Sequence, residues 1–169
     1  DQDIDVVIMM DCSLCPINDE RKDSFYKYVK KHSQTIRSKG IEPILFMSWP
    51  YKNKPEMQQK LEEEFFKASK LNNLRMIPAG QAFLYINQNF PNINLYTKDL
   101  RHPSKEGTYL AALMVFTSLS NKSPIGNTYI MDLDPNVAEI LQKAAWKTYK
   151  DFQKIKKIVW LEISQRPKR

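Results

Sequence analysis

No stretch of this 169-residue sequence approaches the ~20 consecutive apolar residues of a membrane-spanning helix, so no transmembrane segment is expected. The opening DQDIDVVIMM is acidic where a secretory signal is basic, and its apolar run is short, so no signal is visible. The compartment stays open: periplasmic or secreted if an upstream signal has been removed, cytoplasmic otherwise. Cysteine is scarce. Cys12 and Cys15 stand two residues apart, which cannot staple a structural framework. Histidine is equally scarce, with His32 and His102 alone. Structural zinc wants four ligands, so one Cys-x-x-Cys and two distant histidines make a weak case, and no metal is expected. Internal repeats and low-complexity segments are absent from the sequence.

What is present fits one globular domain with a sizeable core: 42% apolar and 11% aromatic residues. The net charge of +7 is uneven. Residues 143–169 carry nine Lys/Arg against two Asp/Glu, while residues 1–142 carry seventeen of each. A basic domain face would point to nucleic acid. A basic end reads first as a solvated helix face, and contact with a polyanion or membrane surface is the lesser reading. No nucleic-acid partner is expected.

Short Val- and Ile-rich runs alternate with longer periodic segments. Asp5–Met10, Ile44–Trp49 and Leu74–Pro78 predict three buried strands. Asp19–Ser38 predicts a helix with Phe25, Tyr28, Val29 and Ile36 on one spacing, Asp19 as its N-cap and Gly40 as its stop. Pro55 opens a second helix, with Met57, Leu61, Phe65 and Ala68 on one face. Residues 80–88 predict a short third helix and 105–118 a fourth. The turn-rich residues 119–135 wrap the surface. One or two helices over 136–163 then carry the stripe Ala138, Leu141, Ala145, Tyr149 and Phe152. Repeated βα units imply a parallel sheet covered by helices on both faces. The expected domain runs over 1–163, with a basic tail at 164–169. Three strands are few for such a sheet, which usually has about five.

The segment YTKDLRHPSKEGTYLAA, residues 96–112, places Asp99 three residues before His102 on a loop. The carboxylate of such a pair accepts a bond from one ring nitrogen, fixes the tautomer and leaves the other nitrogen as a base. A base so held takes the proton of a Ser hydroxyl, which is a poor nucleophile unaided. The plain alternative makes Asp99 a turn cap and His102 a surface residue.

The segment LYTKDLRHPSKEGTYLAALMVFTSL resembles the last sequence block of the SGNH (GDSL-type) hydrolases, where an Asp-x-x-His loop precedes the final helix. Gly107, Tyr109, Leu110 and Ala111 stand where that family carries a Gly followed by apolar helix residues. DVVIMMDCS, ILFMSWPYKNKPEMQQKL, MIPAGQAF, SPIG and LQKAAW resemble other pieces of it in the same order, over about residues 5–150. The resemblance implies a three-layer α/β/α, flavodoxin-like fold that lacks its first βα unit. It implies His102 as general base and Asp99 as its orienting carboxylate, with no cofactor. The family's Gly-Asp-Ser nucleophile segment has no counterpart in these residues, so the resemblance implies a Ser outside the chain. The implied reaction is ester hydrolysis by acyl transfer, on a small ester or an acylated carbohydrate.

Ser13 falls in the loop where the family keeps an oxyanion donor, and it is a candidate for lining the site, as is its neighbour Asp11. A carboxylate there would repel an oxyanion, so Asp11 departs from the pattern. Trp49, with Pro50 and Tyr51, is a candidate aromatic wall or else core. Ser48 faces either the cleft or the core, and Ser104 reads as the cap of the next helix. Asp132 and Asp134 suggest a cation site less well than an Asx-turn. Two other classes compete. One is a noncatalytic domain of the same fold. The other is a thioredoxin-like redox protein working through Cys12 and Cys15, since strand, Cys-x-x-Cys, Pro and helix follow in the right order. That fold also needs antiparallel strands, which the βα repeats do not suggest. The two cysteines are otherwise expected as a partly buried thiol and a loop thiol.

Overall fold

The structure, a computed structural model, describes residues 3–164, with side chains described as far as Ile155. Its elements run β1 (Val6–Met10), α1 (Lys22–Arg37), β2 (Glu42–Phe46), α2 (Met57–Leu71), β3 (Arg75–Ile77), α3 (Ala79–Asn89), α4 (Lys105–Ser120) and α5 (Pro135–Ser164). The three described strands form one parallel sheet in the order β1-β2-β3, with Ile8 opposite Ile44 and Leu45 opposite Met76. The central strand β2 is buried continuously from Pro43 to its end, as a parallel strand covered on both faces must be.

Alternation along the strands divides the core in two. Ile44, Phe46 and Ile77 face α3, α4 and α5, packing with Phe83, Leu110, Leu113, Leu141 and Ala145. Leu45, Met47 and Met76 face α1 and α2, packing with Phe25, Val29, Leu61 and Phe65. The result is a helix–sheet–helix sandwich. The α5 stripe is buried as its spacing predicts, and Phe152 at its far end crosses to stack on Phe66 of α2.

The element boundaries move from those expected. The sequence places the second strand at 44–49, whereas β2 begins at Glu42 and leaves the sheet after Phe46, so Met47–Trp49 enter a loop. The first helix starts at Lys22, not at Asp19, and no side chain caps it. The intervening residues are spent on consecutive turns, in which Leu14 O accepts from the amides of Ile17 (3.2 Å) and Asn18 (2.9 Å). Tyr28 lies on the exposed side of α1, stacked on His32, and Ser33 takes the buried position. Residues 135–164 form one helix, not two, capped by the Asp134 carboxylate, which accepts from the Asn136 and Val137 amides at 2.9 and 3.2 Å. The expected basic tail lies outside the described residues except for Ser164, which ends α5.

The two cysteines are bonded to each other, not free thiols. The turn after β1 explains this: Cys15 N donates to Cys12 O at 3.1 Å, which brings the two Cα atoms to 5.3 Å, within disulfide reach.

Candidate active site

The Asp99–His102 loop is a tight reversal between α3 and α4. Tyr96 bridges Pro103 in antiparallel fashion, Thr97 N donates to His102 O at 2.9 Å, and Ser104 N donates to Leu95 O at 2.9 Å. Leu100 turns the chain at its tip with a positive φ of 62°, a conformation uncommon outside glycine. That turn aims two successive amides inward. Asp99 Oδ1 accepts from Arg101 N and His102 N, both at 2.9 Å, and from the Thr97 hydroxyl at 2.8 Å. Its second oxygen, Oδ2, lies 2.5 Å from His102 Nδ1.

An ionised carboxylate only accepts, so Nδ1 carries the proton, and in the neutral imidazole Nε2 keeps its lone pair. The imidazole is 78% exposed, so that lone pair is open to an incoming group. The bond from the His102 ring, then the His102 and Arg101 amides and the Thr97 hydroxyl, hold the Asp99 carboxyl well below the usual carboxylate range, against a small opposing effect of desolvation. A carboxylate with a depressed folded value stabilises the fold above its unfolded value of ~3.9 and loses that contribution only as pH falls through the folded value. The Asp99 side-chain carboxyl carbon should therefore show its protonation shift in NMR only below pH ~3.9. In Asp99→Asn that acid transition should be absent.

Three long-range bonds fix this loop at the carboxyl end of the sheet, on the residues that follow β2. Trp49 Nε1 donates to Arg101 O at 3.0 Å, Lys52 N donates to Leu100 O at 2.9 Å, and the buried Tyr96 hydroxyl donates to Pro50 O at 3.0 Å. Open α/β sheets bind ligands at this end. Tyr96 also accepts from Asn87 at 3.1 Å, and burial pushes its hydroxyl pKa up. Tyr96→Phe leaves two polar groups without their partner and should cost about 1–2 kcal/mol, read as a lower urea midpoint at unchanged m.

The other expected site residues fall in different places. Trp49 is buried, stacked on Phe83 with ring centroids 4.2 Å apart, and it braces the loop from beneath instead of forming an open aromatic wall. Asp11 and Ser13 lie in the turn after β1. Asp11 Oδ1 accepts from Cys12 N at 2.7 Å, and among the described residues no hydrogen bond joins either of them to His102. Asp11, Cys12 and Cys15 bring their polar atoms within 4.8 Å of one another, but both sulfurs are committed to the disulfide and cannot act as thiolate ligands there. Ser48 is buried with its hydroxyl unpartnered, and Ser104 caps α4, accepting from Gly107 N at 3.1 Å. His32 is exposed on α1. Thr97 is the contributor the sequence reading passed over. Its signal was a hydroxyl two residues before an Asp in a turn.

Comparison with known proteins gives two structural relatives. A crystal structure of a DUF4886 family protein from Bacteroides uniformis superposes with a TM-score of 0.73 and 22% identity over 86% of this chain. A protein from Slackia heliotrinireducens described as "a putative SGNH hydrolase" superposes with a TM-score of 0.59 and 22% identity over 68% of this chain. The fold is SGNH-hydrolase-like. All described strands of this SGNH-like sheet are parallel, which departs from the antiparallel strands that the thioredoxin-like reading needs. The chain spans only 62% and 65% of the two relatives' lengths. No family model and no curated protein matches the sequence.

Proposed function

We propose that this chain is the carboxyl-terminal part of an SGNH-type serine ester hydrolase, in which Asp99 orients His102 as general base for a Ser outside the 169 residues. The observation that carries the reading is the 2.5 Å contact between Asp99 Oδ2 and His102 Nδ1, with the imidazole exposed beyond it. A turn cap needs only the amide bonds to Oδ1. Spending the second oxygen on a ring nitrogen is what a base dyad requires.

The free edge of the sheet supports the position of the missing nucleophile. β1 has no strand partner on its outer side among the described residues, and Ile8 and Met10 are 38% and 59% exposed there. An open apolar edge invites another strand. A preceding βα unit laid on β1 would end at the same carboxyl edge as the Asp99–His102 loop. Attack by its Ser Oγ on the ester carbonyl forms the acyl–oxygen bond as His102 Nε2 takes the hydroxyl proton. His102 returns that proton to the departing alcohol, and water then releases the acid by the same route. Ser13 and the amides of its turn are the proposed lining of that edge, and an O-acylated carbohydrate is one proposed substrate.

Treating the full-length protein from its native source with a fluorophosphonate probe tests this reading. A label mapped to a Ser upstream of Asp1, and lost in His102→Ala, is the expected result. An unlabelled protein would sink the hydrolase reading and leave a noncatalytic domain of the same fold.

A further inference from the structure

The two strips of chain that meet at His102 are unusually cationic. Residues 49–55 and 95–104 carry Lys52, Lys54, Lys98 and Arg101 against one carboxylate, Asp99, which is engaged with His102. The remainder of residues 1–142 is net acidic, because that whole segment balances to zero. The charge at this edge is therefore local and not a share of a generally basic surface. All four cations are exposed, and among the described residues no carboxylate forms a salt bridge with any of them.

Two of the four are held in place without being neutralised. Lys52 Nζ donates to the neutral Asn94 Oδ1 at 2.8 Å. The Arg101 guanidinium lies over the Tyr51 ring, 5.0 Å from its centroid, where a cation–π contact fixes it and leaves its N–H edges available. Lys52 is tied to the loop through its N–H on Leu100 O at 2.9 Å, and Arg101, within the loop, accepts at its carbonyl from Trp49 Nε1 at 3.0 Å. A fixed guanidinium on the His102 loop, with an ammonium on the strip bonded to that loop, offers a receptor for a carboxylate, which guanidinium engages through paired N–H donors.

We propose that the site selects esters that also bear a carboxylate, which Arg101 and Lys52 bind while His102 serves the reacting centre. The inference rests on the esterase reading and names the substrate class for it. One unit charge about 4 Å from another in a water-like medium gains about fivefold in binding, so two cations give roughly tenfold or more.

The test compares kcat/KM of the full-length protein on 4-nitrophenyl hydrogen adipate, which is anionic, and on its neutral methyl ester. The anionic ester should be preferred about tenfold at low ionic strength, and the preference should collapse in 1 M salt, where the screening length is ~3 Å. The double variant Lys52→Gln/Arg101→Gln should bring the ratio near one, while Lys31→Gln on α1 should leave it unchanged. Turnover of both esters without preference, or a ratio unmoved by the double variant, overturns the inference and leaves the esterase reading standing. Turnover of neither ester overturns the inference alone if the fluorophosphonate label is present, and both readings if it is absent.

Discussion

If the Asp99–His102 pair serves a Ser as proposed, Asp99→Asn should lower kcat of the full-length protein on an ester by about 10³–10⁴-fold with little change in KM. The geometry explains why so small a change is so costly. Asp99 Oδ1 accepts from Thr97, Arg101 and His102, and an Asn can keep those bonds with its own carbonyl oxygen. Its NH2 then takes the place of Oδ2, 2.5 Å from His102 Nδ1. A donor now faces Nδ1, so the ring proton moves to Nε2, and the atom that should accept from Ser has no lone pair to offer. The loop persists and the base is disarmed. His102→Ala should fall by a similar factor, because the two residues act as one unit and their losses do not add. The side chain lost in that variant is mostly exposed, so its urea midpoint should barely move. Activity lost in both variants while each stays folded at the assay temperature separates catalysis from a structural role for the pair.

Gly107→Ala should destabilise the protein by about 2 kcal/mol or more, although Ala in a helix is ordinarily worth up to ~1 kcal/mol over Gly. A Cβ at Gly107 would stand 2.2 Å from Leu95 O and 3.0 Å from Pro103 Cβ. The first obstacle is a backbone oxygen, so no side-chain rotation relieves it. Leu95 O also accepts from Ser104 N at 2.9 Å, the bond that closes the base of the Asp99–His102 loop. Pushing α4 away from Leu95 therefore opens the loop as well as the core. A fall in Tm of roughly 4–8 °C is expected for a chain of this size. A Tm that rises, as helix propensity alone predicts, would show that α4 does not pack as described.

These expectations rest on parts of the molecule that the sequence reveals unequally. The α5 stripe and the Asp99–His102 pair were legible because both are local: one is a helical period, the other a three-residue spacing on a loop. The Ser104 cap and the Asp134 turn were legible for the same reason. The bonds that place the pair were not. Trp49 to Arg101 and Tyr96 to Pro50 span about fifty residues each, and no local pattern predicts which indole or hydroxyl will find which carbonyl. Trp49 thus read as an open wall or else as core, and its role as a brace was not legible. The start of α1 was misplaced because Asp19 looks like a cap, yet the turns from Leu14 onward take up the chain before the helix begins. The disulfide was missed because a Cys-x-x-Cys pair closes no useful loop. Only the turn geometry at Cys12 brings the sulfurs together.

On the proposed reading, His102 Nε2 addresses a Ser beyond these 169 residues, at the carboxyl edge of the sheet. The crystal structure of the full-length protein carrying a fluorophosphonate adduct tests it most directly. A phosphonylated Ser Oγ is expected about 3 Å from His102 Nε2, on a segment that pairs with β1. An adduct on a residue remote from His102, or a segment beside β1 that brings no Ser to the imidazole, would contradict it.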